Sequence, residues 1–467
     1  MNWTPEQEQV IWARNRNLLV SAAAGSGKTA VLVERIIQMV TDETNPVDID
    51  ELLVMTFTKA AAAEMRERIG QAVERKLAEQ PDNEHLQLQS TLVHHAQITT
   101  IDSFCLNLIR DHFNVLEIDP GFRIGDEGEL MLLRKDVMER LLEDYYEKGD
   151  ERFEQFVDTY AAGKADGGIE DYIMQVYNFA QSNPWPMMWI ENCRKELREL
   201  EEGHLEETAW MKFLMEDVRK QLGELCEQLG NAIGICQEEG GPEVYLPTLE
   251  TELAMLEGLR DAGTYEELCQ GLRDVSFGRL AAARSKEIDG EKKTFVTGCR
   301  DRIKKAVAGL KENYGFEDIG EAVSDMIGTG DVVEILLELA CEFTARYQES
   351  KRDKNVVDFN DLEHYALDVL VKQEDGKVCY TDTADELSAQ YREILVDEYQ
   401  DSNYVQEELI NSLSGARFGR PNVFMVGDVK QSIYRFRLAR PELFMEKYGS
   451  YSAEDGVVPG QAVTMED

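Results

Sequence analysis

The sequence predicts an α/β fold: a parallel sheet with helices on both faces, interrupted by a large all-helical insertion. Three observations predict it. Short apolar runs alternate with helical stripes at the start of the chain, as in sheet proteins with crossover helices. After "IDPGFRI" the alternation gives way to acidic amphipathic stripes as far as about residue 350. It then resumes with "YREILVDEYQDSN" and "PNVFMVGDVKQSIYRFR". These changes divide the chain into 1–120, 121–350 and 351–467, the outer two being segments of one domain.

Each element has its own signal. "NLLV" reads as a buried strand feeding the glycine-rich "SAAAGSGKT", and "TAVLVERIIQMV" as the helix that follows. "ELLVMTFT" is a second strand, followed by a helix in which Ala61, Met65, Ile69, Val73 and Leu77 recur at helical spacing. "AQITTIDSF" opens as a third strand and runs into a helix reaching about Phe113. In the middle span, Leu130, Leu133, Val137 and Leu141 form one apolar stripe. "NAIGICQEEGGPEVY" reads there as a loop between helices.

Composition narrows the function classes. With 467 residues and 43% hydrophobic content, the chain has ample material for a buried core. No apolar run approaches the roughly 20 residues of a membrane span. "MNWTPEQEQV" has neither the basic start nor the apolar centre of a signal peptide. The eight cysteines are scattered without a C-x-x-C pair, which argues against a zinc site, an iron–sulfur cluster or a disulfide framework and points to a reducing cytoplasm. The formal net charge of −42 argues against broad phosphate binding. Binding depends, however, on where the positive residues sit.

Three segments carry chemistry. The first is the loop Ala22, Ala23, Ala24, Gly25, Ser26, Gly27, Lys28, Thr29. Gly25 and Gly27 let backbone N–H groups approach phosphates at a helix N-terminus. Lys28 would reach the β- and γ-phosphates, and the Thr29 hydroxyl would ligate Mg²⁺. Ala22 stands where the strict G-x-x-x-x-G-K-[ST] pattern has its first glycine. The second segment, "ILVDEYQD", ends an apolar strand in two carboxylates. Asp397 suits Mg²⁺, and Glu398 suits the orientation and deprotonation of water. Such a pair is ordinarily a solvated turn; a phosphate loop on the same sheet changes that reading. The third segment, "MVGDVKQSIYRFR", places Gln431, a neutral group able to sense a γ-phosphate, three residues before Tyr434. Tyr434 and Phe436 offer faces for unpaired bases, worth about 1–3 kcal/mol each, or else pack in the core.

Together "SAAAGSGKT", "VMTFTKAAAAEMRERI", "ITTIDSF", "ILVDEYQDSN" and "VGDVKQSIYRFR" resemble the ordered motifs of UvrD/Rep-type superfamily 1 DNA helicases. Within that group, "NWTPEQEQVI", "TTIDSFCLNLIRDHF" and "DPGFRIGDEGEL" are most similar to the A subunits of AddAB-type helicase–nucleases. In the family the loop begins with alanine as often as glycine, which accounts for Ala22. The resemblance implies a RecA-like P-loop NTPase domain that uses ATP and Mg²⁺, with Gln7 reading adenine. It implies contacts of Thr56, Phe57, Thr58 and Lys59 with single-stranded DNA, Phe57 by stacking. Thr100, Asp102, Ser103 and Phe104 match the next DNA-contacting motif, with Asp102 where many relatives carry histidine. Arg437 matches an arginine linking the ATP site to the DNA track. The family has a second RecA-like domain with an N-[FY]-R-S motif and an arginine finger, and its A-type members end in a nuclease domain. None of those motifs occurs in this sequence, so it reads as the N-terminal part of a longer polypeptide or as a truncated product. The implied partners are DNA, single-stranded and duplex, and a B-type subunit in a heterodimer.

From Arg273 to Lys311 the chain holds eleven basic and five acidic residues. Helicases of this type hold duplex ahead of the motor with the helical domain, so Lys292, Lys293, Lys304 and Lys305 are candidate phosphate contacts. A solvated helix pairing with acidic neighbours is the alternative. The rival to a helicase motor as a whole is a non-catalytic, nucleotide-gated DNA-binding or scaffold protein. A P-loop kinase leaves "GDVKQSIYRFR" unexplained.

Overall fold

The computed structural model describes residues 3–23, 25–160, 167–201, 204–285, 287–316, 318–374, 377–432, 439–452 and 460–465. Their strands are β1 (Leu18–Ala22), β2 (Leu52–Thr56), β3 (Gln97–Thr100), β4 (Arg123–Ile124), β5 (Val356–Val357), β6 (Val371–Glu374), β7 (Lys377–Tyr380), β8 (Glu393–Val396), β9 (Val423–Gly427) and β10 (Gln461–Met465). Most of the remaining chain is helical. Six strands form one parallel sheet in the order β10-β1-β9-β8-β2-β3. β4 pairs with β5, and β6 with β7, in two small separate ladders.

The inner strands are apolar on both faces because helices cover both. Leu18, Val20, Val54, Leu395 and Phe424 enter one core. Their neighbours Leu19, Leu53, Met55, Val396 and Met425 enter the other. Helices α1 (Pro5–Trp12), α2 (Lys28–Val40), α3 (Lys59–Glu79), α4 (Glu84–Leu92) and α5 (Ile101–Asp111) belong to this first half of the sheet region. α1 starts with a capping box between Thr4 and Gln7 and a proline in its first turn. α3 and α5 are capped by Thr58 and Thr100.

The chain divides into two compact units. One comprises residues 1–149, 160–189 and 339–467 and contains the sheet. It takes in 121–149, 160–189 and 339–350, stretches that the sequence assigns to the helical span. The other comprises 150–159 and 190–338, and its described elements are all helical. Helices Ala209–Gln237, Leu246–Arg260, Tyr265–Asp274 and Gly290–Tyr314 there share a core that includes Leu222, Leu229, Leu256, Leu268, Val296 and Ile303. The expected loop at "NAIGICQEEGGPEVY" is corrected. The helix Ala209–Gln237 continues through "NAIGICQ", and the turn begins only at Glu238. Buried Ala232 and Cys236 extend the stripe begun by Met211 and Met215, and this packing outweighs about 1 kcal/mol for each helical glycine.

Candidate functional site

In a parallel sheet all strands point one way, so the segments that follow them emerge on a single edge. The loop after β1, "TFTK" after β2, "TIDSF" after β3, "DEYQD" after β8 and "GDVKQ" after β9 therefore share the carboxyl edge of this sheet.

Ala22 is buried at the end of β1, paired with Met465 on one side, and Ala23 is exposed. Ala24 lies outside the described residues. Gly25 and Gly27 have φ of 92° and 79°, a left-handed conformation that favours glycine. Buried Ser26 turns back on Ala23, its Oγ donating to the Ala23 carbonyl at 2.8 Å. Lys28 and Thr29 open α2, whose N-cap is Gly27 and carries no side-chain cap. The first N–H groups of the helix are thus left for an anion. Gln7 Nε2 donates to the Ser26 carbonyl at 3.0 Å while its Oε1 accepts from Thr4 N, so this glutamine tethers the loop to α1.

Lys28 Nζ lies 3.3 Å from Glu398 Oε2. Asp397 donates its N–H to the Met55 carbonyl and accepts the Glu398 N–H at 3.0 Å. Burial, with the neighbouring Glu398 charge, pushes the Asp397 carboxyl up to about 6. Glu398 has φ of 51°, a strained backbone for a residue with a side chain. Strain of this kind concentrates at functional positions. Gln431 Nε2 donates to Asp428 Oδ2 at 2.6 Å. Tyr434, Phe436 and Arg437 lie outside the described residues.

The motif residues after β2 and β3 hold local structure as well. Buried Thr56 donates to the Thr58 carbonyl at 3.1 Å, and Thr58 Oγ1 accepts from Ala61 N. Lys59 is exposed and Phe57 half-buried. Thr100 Oγ1 accepts from Ser103 N and bonds the Ser103 hydroxyl, while Phe104 is buried. Asp102 is half-buried in the first turn of α5. Burial, and then the Asp102 charge, push nearby Glu363 up.

In the helical unit, Lys292 pairs with Glu238 at 2.8 Å and Lys293 donates to the Ala283 carbonyl at 3.3 Å. Arg300 of the same window is buried against Glu252. Lys304 and Lys305 are exposed, Lys304 with its ammonium 6.0 Å from the Phe277 ring centre.

Sequence reasoning passed over two arrangements. Arg35 of α2, fully buried, makes a paired hydrogen bond with Glu393 at the start of β8 and donates to the Val10 carbonyl. Gln400 joins Glu398 to Asp428. The residue types were visible in the sequence, but no spacing rule pairs residues across a sheet order.

The family described as UvrD/REP helicase N-terminal domain matches residues 3–452. The A subunit of an ATP-dependent helicase/nuclease from Lachnoclostridium phytofermentans is 49% identical over 98% of this chain and 34% of its own length. Proteins of the same name from Clostridium perfringens (strain SM101) and Acetivibrio thermocellus are 45% and 42% identical, over 96% and 97% of this chain. The chain covers 36% and 37% of those two. It therefore spans about a third of the length of the curated relatives it matches. Among the described residues, no helix is long and apolar enough to cross a membrane.

Proposed function

The chain belongs to the UvrD/REP helicase N-terminal domain family, and from that premise we propose that it is the ATP-binding part of a DNA helicase motor. It acts within the larger polypeptide of an ATP-dependent helicase/nuclease, coupling ATP hydrolysis to translocation on single-stranded DNA during double-strand break repair and recombination. One observation carries the reading. Lys28, Asp397, Glu398 and Gln431, from three separate strand ends, converge on one edge of the sheet, with Lys28 and Glu398 3.3 Å apart.

In this reading residues 1–120 and 351–467 are the two segments of a RecA-like domain, and 121–350 the helical domain inserted in it. Gly25, Gly27 and the open end of α2 cradle the phosphates, and Lys28 leaves Glu398 to engage them. Mg²⁺, when bound, neutralises phosphate charge; the hard oxygens of Thr29 and Asp397 fit it. Glu398 orients water and takes its proton, and Gln431 senses the γ-phosphate. Thr56, Phe57, Thr58, Lys59, Thr100, Asp102 and Ser103, with Tyr434 and Phe436, form the single-strand track. Arg437 links that track to the ATP site. The partner is a B-type subunit, in the cytoplasm.

The 467-residue polypeptide is expected to bind ATP–Mg²⁺ weakly and to hydrolyse it very slowly. An arginine supplied from outside a phosphoryl-transfer site is worth about 10³–10⁵ in rate. Steady-state hydrolysis with and without single-stranded DNA checks this. Turnover at the level of an intact helicase would mean that a second copy completes the site. Complete indifference to DNA and no hydrolysis at all would favour the scaffold reading.

Duplex binding gives a further test. Lys292 and Lys293 are engaged within their own unit, so the phosphate contacts fall mainly on Lys304 and Lys305. Neutralising all four should weaken duplex binding and reduce the salt slope by about 0.9 for each lost contact. Single-strand binding should change much less. Equal loss on both substrates, or none on either, returns this helix to a solvated role.

A further inference from the structure

Gln400 is 1% exposed, and each of its amide atoms is committed. Its Nε2 donates to Glu398 Oε2 at 2.9 Å and to Asp401 Oδ2 at 3.2 Å. Its Oε1 accepts the Asp428 N–H at 2.9 Å. Asp428 in turn holds the Gln431 amide through Oδ2. A second link runs alongside, from the Ser432 hydroxyl to Asp401 Oδ1 at 3.3 Å, and a third from Arg440 N to the Ser402 carbonyl. The segment after β8 is thus laced to the segment after β9 at several points.

Gly427 gives an independent sign that this placement is built in. A Cβ there would lie well inside van der Waals contact with Gln400 Oε1, and 3.2 Å from both Gln400 N and the Phe444 ring. Since the Gly427 backbone is not left-handed, it is the crowding by Gln400 and Phe444 that disfavours a side chain there.

We propose that Gln400 is a positioning residue for ATP hydrolysis, fixing the Glu398 carboxylate and locking it to the mount of Gln431. The proposal rests on the helicase-motor reading above. A buried side-chain amide suits this role because it donates to the carboxylate that must stay a free acceptor and accepts from backbone at the same time. Gln431 is thereby linked to Glu398 through the Asp428 side chain and backbone N–H and the Gln400 amide. Misplacement of a base by an ångström can cost ~10²-fold in rate, while phosphate binding by the loop and Lys28 is untouched.

The test separates binding from chemistry in the full chain. Affinity for a fluorescent ATP analogue with Mg²⁺ is measured beside single-turnover ATP hydrolysis with protein in excess. Gln400→Met keeps the volume and removes every hydrogen bond. It should bind within about twofold of the wild type and hydrolyse ~10-fold to 100-fold more slowly. Gln400→Asn keeps a neutral amide but shortens its reach by one methylene, away from Glu398; it carries the same expectation should the methionine variant fail to fold. Gln431→Ala combined with Gln400→Met should be little slower than the slower single variant, because both act through one network. Wild-type hydrolysis in the folded Gln400 variants overturns the proposal and leaves the helicase reading standing. Equal loss of binding and hydrolysis overturns it too, as a general collapse of the site. A wild type whose analogue binding does not depend on Lys28 overturns both.

Discussion

Glu398→Gln is expected to keep nucleotide binding and lower hydrolysis by about 10²–10⁴-fold, measured in a preparation with DNA-stimulated turnover. The amide keeps the shape of the side chain and can still hold a water. It cannot take the proton. The structure adds a second consequence, because Glu398 is also the ion partner of Lys28 at 3.3 Å. Removing the negative charge frees Lys28 for the phosphates, so ATP affinity should hold or rise. Lys28→Ala should do the reverse and weaken binding itself. Equal loss of affinity in the two variants would show that the roles are not divided in this way.

Arg35→Ala is expected to destabilise the sheet unit by about 3–5 kcal/mol, the cost of leaving a buried partner charge unpaired. Arg35 has no exposed surface, and Glu393 is 5% exposed. The guanidinium bonds both carboxylate oxygens, donates to the Val10 carbonyl at 2.5 Å and lies 5.0 Å from the Phe424 ring centre. It thereby joins α1, α2, β8 and β9 at the amino end of β8. Arg35→Met with Glu393→Leu should recover much of the loss, since removing a buried pair together is often neutral. Chemical denaturation of the two variants decides it. A single variant within about 1 kcal/mol of the wild type would show that water relaxes into the site.

Much of the sheet was legible because buried parallel strands are written as unbroken apolar runs. β1, β2, β8 and β9 are of that kind. The β6–β7 hairpin was not, because "VKQE" and "KVCY" are largely exposed and carry no apolar run. β10 was hidden in "QAVTM", a short stretch whose strand character comes from its pairing with β1. In the site, Lys28, Asp397, Glu398 and Gln431 stood out because each follows a strand. Gln400 sits in the same "DEYQD" yet stayed unread, since its role is defined by Asp428 on another strand end. Thr58, Thr100 and Ser103 were read for DNA alone, although their helix-capping geometry is as local a signal as any in the chain.

The order β10-β1-β9 also sets a timetable for synthesis. β1 leaves the ribosome before every other strand of the sheet, yet its two neighbours begin at Val423 and Gln461. At about 5–20 residues per second, the phosphate loop waits roughly 20–80 s for the first strand that can flank it. Until then Leu18, Leu19 and Val20 are bare apolar residues with unpaired backbone, a ready target for holdase chaperones and for the wrong strand. The phosphate loop, made early, is among the last parts of the ATP site to be enclosed.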